Sequence, residues 1–163
     1  MEIINIPTKP DDFLGLPIHS HVSLFYEKNA PPYNTYESKK HRFIIFKIAN
    51  IQLTYTRDFL QYIMIDFGFR DKFIFKFNSI EINGNTSYDD IKHIIVAGKM
   101  EYIENWFSED QLNIAINNWV VFIFHNGKAG ILLDKINFPF SRDIHQSLLR
   151  NDQPKKVKGG SFE

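Results

Sequence analysis

The stretch that most limits what this chain can fold into is residues 41–78. It holds four apolar runs, "HRFIIFKI", "IQLTYTR", "QYIMIDF" and "KFIFKFN", separated only by "AN", "DFL" and "GFRD". The runs are rich in β-branched and aromatic side chains, which fit a pleated, half-buried surface. "TYT" alternates, and "KFIFKF" carries phenylalanine at every second position, the period of a strand with one face on a core. Separators this short read as hairpin loops. The block predicts a meander of antiparallel strands, with a helix over 38–48 as the rival for its first member. The whole chain leans the same way, with 16 Phe, 7 Tyr and 2 Trp in 163 residues.

Upstream, "EIINIP" (2–7) reads as a short strand closed by Pro7, and "TKPDDFLGLP" as a helical turn or loop. "IHSHVSLFY" (18–26) reads as a strand. Its alternation puts Ile18, Ser20, Val22, Leu24 and Tyr26 toward the core, and His19, His21, Ser23 and Phe25 on the wetter face. Residues 27–40 form a long polar loop carrying Pro31 and Pro32.

Downstream, "IEIN" is a short strand and "NGN" a turn. Ser87 with Asp90 then makes a capping box, and Tyr88, Ile91, Ile94 and Ile95 recur at helical spacing up to Gly98. Residues 99–110 fit either type. "QLNIAIN" (111–117) alternates as a strand, and "NWVVFIFHNGKAGILLDKI" (118–136) is a hairpin about "HNGK" whose first run is apolar enough to be central in a sheet. "SRDIHQSLL" (141–149) reads as a short helix capped by Ser141, and 151–163 as a disordered basic tail. The expectation is one α+β domain over 1–150, built on a mostly antiparallel sheet (meander plus C-terminal hairpin) with two or three short helices.

Composition excludes more than it assigns. The formal net charge is zero and the sequence pI is about 7.0, which argues against a uniformly basic nucleic-acid binder. With no cysteine there is neither a disulfide nor a thiolate metal site. The first residues lack a basic segment followed by an apolar run, and no apolar run reaches the ~18 residues of a membrane helix, so the expected location is cytoplasmic. Neither a phosphate-binding glycine loop nor a nucleophile elbow occurs.

Two features remain as sites. His19 and His21, two apart on a strand, would share a face and offer two metal ligands. A metal centre needs three or four, and His41, His93, His125 and His145 show no ligand spacing. No metal or other cofactor is expected. The second feature is charge segregation. From 37 to 57 lie Lys39, Lys40, Arg42, Lys47 and Arg57 against Glu37, while from 81 to 110 lie Glu81, Asp89, Asp90, Glu101, Glu104, Glu109 and Asp110 against Lys92 and Lys99. The commoner meaning of such runs is a solvated face. The sharper one is an acidic surface for a basic partner, with Trp106 as an aromatic anchor and Phe107 beside it. Trp106 is equally readable as core.

The layout of residues 79–133, "SIEINGNTSYDDIKHIIVAGK" followed by "NNWVVFIFHNGKAGILL", resembles that of small immunity proteins of bacterial polymorphic-toxin and contact-dependent inhibition systems. Small outer-membrane assembly lipoproteins share a helix-then-hairpin pattern, but their lipoprotein signal and cysteine are missing from this chain. The resemblance implies a non-catalytic protein that binds a cognate toxin domain, including a basic nuclease. Asp89, Asp90, Glu101, Glu104, Glu109 and Asp110 would then serve as steering charges and Trp106 as anchor. The alternative is a small enzyme or ligand-binding module with a pocket holding His19, His21 and His125. Nucleic-acid binding through the basic block 39–57 and its aromatics ranks third.

Overall fold

The computed structural model describes residues 2–10, 12–68 and 72–139. The expected strands 41–67 form as β3 (Phe43–Ile48), β4 (Ile51–Thr56) and β5 (Phe59–Asp66). They pair antiparallel in sequence order and gain an extra edge strand, β2 (Asn34–Ser38), from within the stretch read as loop. The turns are tight. Arg57 and Asp58 both have positive φ, 50° and 74°, as a two-residue hairpin turn of mirror type requires.

The C-terminal half builds a second meander: β8 (Tyr102–Trp106), β9 (Gln111–Ile116), β10 (Val120–Gly127) and β11 (Gly130–Phe138). The hairpin predicted about "HNGK" exists, but its tip is two residues later, at Lys128 and Ala129 between paired Gly127 and Gly130. Gly130 takes φ 109°, a conformation open to glycine. The two meanders join where β11 pairs antiparallel with β5, giving one eight-stranded sheet in the order β2-β3-β4-β5-β11-β10-β9-β8.

The run "KFIFKFN" is a strand, β6 (Phe73–Phe77), but it does not continue the meander. It pairs in parallel with β1 (Glu2–Asn5) and antiparallel with β7 (Ile80–Ile82) in a separate three-stranded sheet. The edge of β5 that it was expected to occupy belongs to β11.

The largest correction concerns residues 18–26. They are not a strand. After one isolated bridge from His21 to Phe59, the chain turns into helix α1 (Val22–Lys28). Val22 and Phe25, three apart, are its buried residues, and Tyr26, expected inward, is exposed. Seven residues are too few for a helix to hold itself. Packing holds this one: Phe25 stacks on Phe46 at 3.9 Å and meets Tyr33 edge-on at 5.1 Å.

Helix α2 (Tyr88–Ala97) has both halves of the predicted capping box, and it buries Ile91, Ile94 and Ile95. Before it, Gly84 is needed for space rather than for a positive φ, because a Cβ there would lie 2.9 Å from the Phe67 carbonyl oxygen. Both helices and the small sheet pack on one face of the large sheet around one continuous core, through contacts such as Phe77 with Phe122 and Tyr88 with Phe124. The protein is a single domain, mostly antiparallel β, with two helices among the described residues. The helix expected at 141–149 and the tail at 151–163 lie outside the described residues.

Candidate functional site

The antiparallel order of the large sheet sends the end of β8, the start of β9 and the β10–β11 tip to the same end. Helix α2 begins there too. Ser87 bridges Leu132 of β11, and Leu133 N donates to Thr86 O at 2.8 Å. The loop carrying Glu109 and Asp110 is tied to the hairpin: Asn126 N donates to Asp110 O at 2.8 Å, and Asn126 Nδ2 to Glu109 O at 3.4 Å. Asp89, Asp90, Glu109 and Asp110, drawn from two distant segments, therefore gather at one corner of the sheet, all exposed.

The other predicted residues of this set do not behave alike. Glu101 sits at the opposite end of β8, where its backbone pairs with Asn117, and it leaves the corner. Glu104 faces α2 and is already engaged. It takes the Lys92 ammonium at 2.9 Å and accepts the Tyr88 hydroxyl at 2.8 and 2.9 Å. Lys92 also donates to Tyr88 Oη at 3.2 Å and lies 5.0 Å from the Tyr102 ring centroid. The hydrogen bond to Glu104, then that to Tyr88, holds the Lys92 ammonium well above the usual lysine range. Burial, followed by the bond to Glu104, raises the Tyr88 phenol. Glu104 is thus a neutralised clamp between α2 and edge strand β8, and it adds little to a long-range field.

Trp106 pairs with Leu112 and packs, half-buried, against the core. Phe107, next in sequence, is 47% exposed and sits at the corner. An exposed apolar ring at the same end of the sheet as four exposed carboxylates that form no ion pair among the described residues fits a charge-steered contact with an aromatic anchor.

The histidines do not converge. His19 N donates to Leu60 O at 2.8 Å, and His21 lies against Phe59, so both sit where β5 begins. His125 is near the tip of β10, at the other end of the sheet. His21 has a structural task. As the residue before α1, its Nδ1 accepts from Ser23 N at 3.1 Å and lies 2.9 Å from Ser23 Oγ. Among the described residues no three side chains of His, Asp or Glu form a metal-sized group. Among them also, no helix is long and apolar enough to cross a membrane.

The basic block 39–57, read in the sequence as a third option, forms part of a concave site that sequence alone did not show. A cavity of about 260 Å³ opens at the β2–β3 and β4–β5 turns, lined by Lys39, Arg42 and Arg57 with Glu37, Asp58 and Phe43. The charge segregation of 37–57 was its signal. The cavity itself depends on two turns that come together only in the folded sheet. No family model matches the chain, and neither a curated protein nor a solved structure matches it.

Proposed function

We propose that this chain is a non-catalytic binding protein of the immunity type, which neutralises a cognate toxin domain by tight association. The observation that carries the reading is the acidic corner. Asp89 and Asp90 at the start of α2, and Glu109 and Asp110 twenty positions on in the β8–β9 loop, lie at the same end of the sheet, with exposed Phe107 in that loop. Such a field speeds encounter with a basic surface, and a nuclease groove is one. The ring supplies short-range affinity once the surfaces meet. The edge of β8 lies alongside and offers backbone groups for strand addition.

The competing reading, a small enzyme or ligand-binding module built on His19, His21 and His125, needs these side chains to converge. They occupy opposite ends of the large sheet.

The test begins with the tagged chain and the protein that co-purifies with it from its own host, identified by mass spectrometry and assayed for toxin activity. Association kinetics are then measured for wild type and for a triple reversal, Asp89→Lys, Glu109→Lys and Asp110→Lys. Asp90 is left intact because its carboxylate caps α2. Association should slow by about tenfold or more at low salt, and the difference should shrink as salt rises. Unchanged kinetics would sink the surface assignment. A partner without toxic activity would sink the immunity reading.

A further inference from the structure

Diagonally across the large sheet from the acidic corner lies the cavity between the β2–β3 and β4–β5 turns. Its frame is backbone. Arg57 N donates to Arg42 O at 2.8 Å, Arg42 N to Lys39 O at 3.3 Å, and Val22 N to Asp58 O at 2.8 Å, which ties the second turn to α1. Arg42 and Arg57 both stand at positive φ, 58° and 50°. Glycine, asparagine or aspartate suits such positions better, so placing two arginines there works against local preference.

The side chains of Lys39, Arg42 and Arg57 share the cavity with the carboxylates of Glu37 and Asp58. Among the described residues, none of the three cations lies within ion-pair distance of a carboxylate. Phe43, part of the cavity wall, belongs to a row of rings. It stacks with Tyr36 at 5.9 Å and 29°, and with His41 at 6.4 Å and 15°. Tyr36, at one end of the row, is 64% exposed.

We infer that this cavity is a nucleotide site. Guanidinium groups present paired donors that match phosphate oxygens. Carboxylates accept hydrogen bonds, and ribose hydroxyls or a base amino group supply them. Exposed rings stack with any base face. The three kinds of group meet in one place here, and the volume suits a phosphate and sugar with the base resting outside on the rings. A free nucleotide and a single strand of nucleic acid share this chemistry. The site is independent of the acidic corner and of any toxin.

The experiment is a titration of the ¹⁵N-labelled full chain with adenosine 5′-monophosphate, adenosine, inorganic phosphate and a short single-stranded oligoadenylate. The monophosphate should give saturable shifts confined to residues 36–43 and 57–58, with adenosine and phosphate each weaker by about tenfold or more. Arg42→Gln with Arg57→Gln should weaken the monophosphate by about tenfold or more. Tyr36→Ser, at an exposed position that leaves both turns unaltered, should weaken the monophosphate but not phosphate. An oligoadenylate that binds far more tightly than the monophosphate assigns the site to single strands, and equal affinity assigns it to the free nucleotide. No saturable shift with either ligand overturns the inference. So do equal affinities for phosphate and monophosphate, or shifts that survive both sets of substitutions.

Discussion

Tyr55 on β4 offers a prediction whose size follows from its surroundings. Its side chain is fully buried, with ring contacts to Phe46 at 5.6 Å and Phe25 at 6.3 Å, so it helps seat α1 on the sheet. Its hydroxyl is buried with no hydrogen-bond partner among the described residues. Tyr55→Phe keeps the ring and removes the orphan group. An unmet buried hydroxyl costs roughly 1–3 kcal/mol, and part of that is offset by the dispersion contacts of the lost oxygen. The variant is therefore expected to be more stable at neutral pH by ~1 kcal/mol, which is about 2–4 °C in Tm for a chain of this size.

The same burial, reinforced by nearby Tyr26, pushes the Tyr55 phenol up from 10.0 to about 12. Below the unfolded value the phenol is neutral in both states and adds no pH dependence. As pH rises from there through the folded value, the unfolded chain gives up the proton first and stability falls, by up to ~3 kcal/mol. Phenylalanine has no such proton. The gap between variant and wild type should thus widen with alkalinity, while Tyr26 and Tyr88, also raised, titrate in both proteins and cancel to first order. Urea unfolding from neutral pH to about 11.5 measures both parts. A variant destabilised at neutral pH would show that the hydroxyl has a partner. Parallel pH profiles would show that the proton is not held by burial.

Two further outcomes concern α2. Ser87→Ala removes the Ser87 Oγ acceptor that Asp90 N reaches at 3.1 Å, and should cost ~1 kcal/mol in urea unfolding. Lys92→Met and Glu104→Gln, taken singly and together, should show a coupling of only ~0.5–1 kcal/mol, because the paired side chains are 26% and 34% exposed. Coupling near zero would remove the clamp between α2 and β8.

Much of this fold is legible from local pattern. Alternating phenylalanines mark β6, the Ser87 box marks the start of α2, and "HNGK" between two apolar runs marks the last hairpin, two residues short of its tip. The misread segment, 18–26, satisfies two periods at once. Val22, Leu24 and Tyr26 fit a strand, while Val22 and Phe25 fit a helix. What decides between them is the aromatic nest of Tyr33, Phe46 and Tyr55, which receives Phe25 and is contributed by three separate parts of the chain. The candidate surfaces divide similarly. Charge segregation showed where each sign lies along the chain, but Glu104 was indistinguishable in sequence from Glu109, although one is neutralised by Lys92 and the other is exposed.

The sequence by itself determined strand periodicity, the capped helix and the mostly antiparallel class, because each depends on residues a few positions apart. Only the tertiary structure decided that β11 rather than β6 completes the sheet beside β5, that 22–28 is helical, and that the acids and the basic turns occupy diagonal corners. Those outcomes rest on pairings between residues dozens of positions apart, such as Ile63 with Phe138, and no local propensity carries such a choice.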